Sequence, residues 1–161
     1  MKLALGIDLG AKGRNWAVVA GREYINGPEL LDLCPGVPAV KRFTKWEPTL
    51  VRENLQLLVQ DFRPRAIGVE ETFTHHDARL RDVGRKQAGP SGFVEGLCAL
   101  WGIVFVEVPP VDFQEAMLAW GVLGRPAEGK PTGLKTDKNE HVRDACGVLL
   151  KTFARMPGRS W

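Results

Sequence analysis

A chain of 161 residues with 44% hydrophobic and 25% charged side chains can bury roughly two thirds of its unfolded surface and is too apolar to be disordered. No apolar run approaches the roughly 18 residues of a membrane span, and no signal peptide is expected. A formal charge of +3 allows a nucleic-acid partner without requiring one.

The first residues set the pattern. Residues 3–7 are apolar and lead into a single carboxylate, Asp8, then Gly10 and Gly13, before residues 15–20 resume an extended apolar pattern. This predicts strand, turn, strand, with an acid at the end of the first strand. A buried carboxylate is costly to ionise without compensation, and a cation is the usual compensation. Residues 22–25 extend the second strand, Asn26-Gly27 is a turn signal, and residues 29–34 return as a third strand, completing an antiparallel meander. Pro35, Gly36 and Pro38 break it, and residues 39–46 read as a basic and aromatic connection whose Lys41, Arg42 and Lys45 are expected on the surface.

Pro48 opens a helix whose Val51, Leu55, Leu58 and Phe62 share one face, and Arg63-Pro64 ends it. Residues 65–69 form a short apolar strand leading to Glu70-Glu71. The intervening helix is the crossover that a parallel neighbour of the first strand requires. Residues 74–92 lack apolar periodicity but carry Arg79, Arg81, Arg85 and Lys86. A helix is expected over 92–101, a fifth strand over 103–108 and a short helix over 111–120. Residues 121–134, rich in Gly and Pro, form the longest loop signal. The closing helix, 137–154, repeats Val142, Ala145, Cys146, Leu149, Leu150 and Phe153 at helical spacing. His141 and Asp144 share a face on the flank of this stripe, placed to meet a sheet edge. No repeat is present, and one domain over 1–161 is expected. Cys34, Cys98 and Cys146 are odd in number, far apart and form no CxxC pair, so neither a disulfide framework nor a zinc site is indicated, and a reducing, cytoplasmic setting is expected. Cys146, within the apolar stripe, reads as a buried thiol without chemistry.

Asp8, Glu70, His141 and Asp144 therefore come from two strands and one helix that the topology can bring together. Singly, Asp8, Glu70 or Glu71, and His141 each have an ordinary structural role: a turn cap, a solvated strand end, a first helical turn; Asp144, in mid-helix near the apolar flank, is harder to dismiss. Together, several acids at close range need a counter-charge. Oxygen donors suit Mg²⁺ or Mn²⁺ rather than zinc. Two such ions about 4 Å apart are a common arrangement for phosphodiester hydrolysis.

GIDLG at the N-terminus, VEETF over 69–73 and HVRDACGVLL over 141–150 resemble the RuvC family of Holliday junction resolvases, within the RNase H-like (retroviral integrase) superfamily. The resemblance spans essentially the whole chain. It implies an α/β fold with a mixed five-stranded sheet flanked by helices, a homodimer, and Mg²⁺- or Mn²⁺-dependent cleavage of four-way DNA junctions. Carried over by position, the catalytic and metal set is Asp8, Glu70, His141 and Asp144, with Glu71 replacing Glu70 if the register shifts. Relatives carry Asp or His at the position of His141, which leaves ligand and water-orienting base both open for it. Phe73 either stacks on a base at the opened junction or packs in the core. Arg79, Arg81, Arg85 and Lys86 become candidates for phosphate contact. Family lysines before the final acids have counterparts among Lys130, Lys135 and Lys138, with no choice among them. The divergent loop and short ending resemble a phage-type branch. Actin-like ATPases share a GIDLG-like phosphate motif but need two such domains. A RuvC-like ribosomal-RNA maturation nuclease, or another nuclease on the same fold, is the nearer rival, and a binding module with a dead site is disfavoured by the acids present.

Overall fold

Alternation along the central strands decides which side chains meet which helix. The structure, a computed structural model, describes residues 2–9, 16–34, 37–38, 40–43, 47–70, 81–124 and 140–156. Strands β1 (Lys2–Asp8) and β2 (Trp16–Tyr24) are antiparallel, and β3 (Gly27–Leu30) continues the meander. Helix α1 (Pro48–Phe62) crosses over to β7 (Ala66–Glu70), which lies parallel to β1. Helix α2 (Arg81–Trp101) leads to β8 (Val104–Val108), parallel to β7. The order β3-β2-β1-β7-β8 is the mixed five-stranded arrangement expected from the sequence, and a sixth strand, at residues 40–43, also pairs with β2.

Successive strand residues point to opposite faces. Leu5, Ile7, Ile67 and Val69 point to one face, against Val51, Leu55 and Leu58 of α1 and Val94, Leu97 and Cys98 of α2. Ala4, Ala66, Val106 and Val108 point to the other, against α3 (Phe113–Leu123) and α4 (Glu140–Arg155). By the same alternation Gly6 and Asp8, and Gly68 and Glu70, face α4.

The α4 face is built from small residues because the helix lies close to the sheet. A Cβ on Gly6 would stand 2.6 Å from Ala145 O and Leu149 N, and one on its register partner Gly68 would stand 1.6 Å from Thr152 Oγ1. The opposite face carries the large side chains, and full burial of each aliphatic there contributes about 1.5–3 kcal/mol. Helix α1 has Pro at its start. It ends where Arg63 turns left-handed at φ 48° and donates its N–H to Val59 O at 2.8 Å.

Four local expectations shift. Val40–Phe43 is a strand, β6, antiparallel to residues 16–19 of β2. The third strand ends at Leu30, and Asp32–Cys34 (β4) pairs instead with Val37–Pro38 (β5) in a separate ribbon. Helix α2 starts at Arg81 and carries Pro90 inside it, eleven residues ahead of the start read from periodicity. Helix α3 starts later than expected, because Asp112 forms a reciprocal capping box with Glu115, and it ends later, at Leu123. Cys98 and Cys146 are buried free thiols. Among the described residues, no helix is long and apolar enough to cross a membrane.

Candidate functional site

Strand polarity brings the acids together. Parallel β1 and β7 both end, at their carboxyl ends, in a carboxylate on the α4 face: Asp8 and Glu70. Helix α4 begins above that end. His141, in its first turn, places Nδ1 2.8 Å from Asp8 Oδ2, a contact across 133 residues of chain. An Nδ1–H there donates to a carboxylate only 7% exposed. Asp144, one turn later, is partly buried beside it. His141 and Asp144 thus meet the carboxyl ends of the two central strands rather than the margin of the sheet.

The ionisation behaviour reports the crowding. Burial first, then the charges of Asp8 and Asp144, push Glu70 up to about 7, against a hydrogen bond from the Val111 backbone N–H and the Lys151 cation. Burial, then Asp8, push Asp144 up to about 6, while Arg143 pulls it down. His141 is raised, chiefly by its hydrogen bond to Asp8 and against the effect of burial. The carboxylates therefore feel one another. Even so, among the described residues no three His, Cys, Asp or Glu side chains already form a group able to hold a metal ion. Among the described residues, the coupling is thus electrostatic rather than that of a preformed ligand shell. Asp8, Glu70, Asp144 and His141 are the residues that could hold a hard divalent ion here, through three carboxylates and one imidazole nitrogen.

Two cations beside these acids went unread in the sequence. Lys151 lies seven residues beyond Asp144, hence on its face of α4, a signal that the spacing contained. It pairs with Glu115 Oε2 at 2.9 Å and is close enough to lower Glu70. Arg143 had no comparable signal: it is buried because α3 packs on that side of α4, which the stripe alone does not reveal. Of the expected nucleic-acid contacts, Arg81, Arg85 and Lys86 fall on α2, where only the backbone is described. Phe73, Arg79, Lys130, Lys135 and Lys138 lie outside the described residues, as does the alternative acid Glu71.

No protein-family model and no curated protein matches the chain. Solved structures do. The RuvC of T. thermophilus in complex with a Holliday junction substrate is 19% identical with a TM-score of 0.62, covering 98% of this chain and 97% of that one. The fowlpox virus Holliday junction resolvase is 13% identical with a TM-score of 0.56, covering 96% and 99%. Over nearly its full length, therefore, this chain has the RNase H-like α/β fold of these resolvases.

Proposed function

We propose that the protein is a divalent-metal-dependent endonuclease that resolves four-way DNA junctions by paired phosphodiester hydrolysis. The observation that carries this reading is the meeting of Asp8 and His141, 133 residues apart, beside Glu70 and Asp144, on a fold shared with proteins solved as junction resolvases. Three carboxylates and an imidazole suit Mg²⁺ or Mn²⁺. Glu70 and Asp144 are shifted upward first by burial and then by neighbouring carboxylates, a setting in which such ions would offset the negative charge. When bound, a pair of ions would activate a water and stabilise the leaving oxygen.

The chain's own groups then have distinct tasks. Asp8, Glu70 and Asp144 supply the charge that holds the ions. Asp8 also fixes the His141 ring through Nδ1, leaving Nε2 as the ring atom for ligation or for proton exchange with water. The Val111 N–H orients Glu70. Phosphate contacts fall to Arg79, Arg81, Arg85, Lys86, Lys135 and Lys138, and a base-stacking contact to Phe73. Two symmetric nicks in a two-fold junction need two sites, which implies a homodimer.

A substrate panel tests the reading. Purified protein with Mg²⁺ or Mn²⁺ is expected to introduce paired, symmetric nicks in a labelled four-way junction and to leave linear duplex largely intact. Efficient cutting of linear DNA or of structured RNA instead would assign the site to a different nuclease.

A further inference from the structure

One charged side chain beside these acids has no role in the reading above. Arg143 lies in α4 between His141 and Asp144 with 3% of its surface exposed. Burying a guanidinium is costly unless its charge and donors are met. Here the charge is met, but the Nε donor is not. Nε has no hydrogen-bond partner and stands 3.6 Å from Asp144 Oδ1, beyond hydrogen-bond length and within ion-pair range. The guanidinium carbon lies 4.6 Å from the centroid of the Phe113 ring, the first residue of α3. The contact joins two helices at the site.

We propose that Arg143 is a positioning residue for Asp144, held in place by stacking on Phe113. The stretch that leads from β8 into the first residue of α3 then supports two acids at once. Its Val111 N–H reaches Glu70 directly, and its Phe113 reaches Asp144 through Arg143. Arginine suits the task because a planar, permanently charged group can stack on a ring and still present Nε sideways to a carboxylate; a lysine ammonium keeps the charge but not that geometry. The proposal rests on Asp144 being a metal ligand.

The test is Mn²⁺ binding by calorimetry to the full chain, with folding followed by circular dichroism. Arg143→Lys keeps the positive charge, so a change in Mn²⁺ affinity reports placement rather than electrostatics. Arg143→Lys and Phe113→Leu are each expected to weaken Mn²⁺ binding about tenfold, and together no more than either alone, since they break one unit. Phe113→Tyr, which keeps the ring face, stays near wild type. In junction cleavage Arg143→Lys lowers kcat and leaves KM unchanged. Wild-type Mn²⁺ binding by both Arg143→Lys and Phe113→Leu, alongside an Asp144→Asn control that binds weakly, overturns the positioning role and spares the site. A raised KM with unchanged kcat also overturns it, by making Arg143 a phosphate contact. Wild-type Mn²⁺ binding by Asp144→Asn removes Asp144 as a ligand, and the proposal with it.

Discussion

The two faces of the sheet are built on opposite rules. Toward α1 and α2 the strands present Leu5, Ile7, Trp16, Val18, Ile67 and Val69, large side chains filling a conventional core. Toward α4 the central strands present Ala4, Gly6, Ala17, Ala66 and Gly68, so that backbone meets backbone at Gly6 and the Thr152 side chain sits on Gly68. The large-residue face can yield, because side chains repack around a change in volume. The small-residue face cannot, because Gly6 abuts main-chain atoms of Ala145 and Leu149. One face can adjust its packing and the other demands precision, and the acids sit on the precise face.

Matched substitutions would break that comparison. Leu55→Ala on the first face is expected to cost about 2–5 kcal/mol, read by urea denaturation, while cleavage per folded molecule stays at the wild-type level. Gly6→Ala is expected to cost less, about 1–3 kcal/mol. It must displace α4, and with it His141 and Asp144, so cleavage per folded molecule falls at least about tenfold. Loss of activity in the first variant and its retention in the second would show that the faces do not divide the work.

Acidity sharpens the same contrast, since the shifted carboxyl groups and imidazole described here cluster on the α4 face. Glu70 and Asp144 titrate higher in the folded protein than unfolded, at about 7 and about 6 against 4.5 and 3.8. The folded state thus binds more protons over those intervals, and metal-free stability falls as pH rises through them. His141, also raised, acts in the same direction: its contribution is full below 6.5 and is lost above its folded value. Metal-free protein is therefore expected to be less stable at pH 8 than at pH 5, and Mn²⁺ to restore more stability at pH 8. Flat metal-free stability across that range would contradict the crowding of the acids.

The smallest effect is expected at the Lys151–Glu115 pair, which is 28% and 44% exposed. Glu115→Gln should cost under about 1 kcal/mol and leave metal-supported cleavage unchanged, as a melting curve and a cleavage assay would show.

Much of the precise face was readable from the chain. An apolar run ending in Asp8, a second ending in Glu70 and H-x-x-D beside a helical stripe are local patterns whose convergence follows from one crossover. What escaped was set by partners far away in sequence. Residues 40–43, Val-Lys-Arg-Phe, lack the alternation of a strand and become one by pairing with the part of β2 that β3 leaves unpaired. The first two turns of α2 show no apolar stripe, so periodicity could not find its start. Arg143 looks like a surface residue until α3 covers it. Glycine at 6 and 68 reads as a weak strand former, and only the approach of α4 explains it.

The central claim is that Asp8, Glu70, His141 and Asp144 form one metal-dependent cutting site. The most direct measurement is cleavage of a labelled four-way junction by Asp144→Asn beside wild type in Mg²⁺ or Mn²⁺, with junction binding followed in parallel. The substitution removes a charge with little change in shape. Unchanged binding with cleavage lowered by a factor on the order of 10² or more is the predicted result, and equal cutting by the two proteins would contradict it.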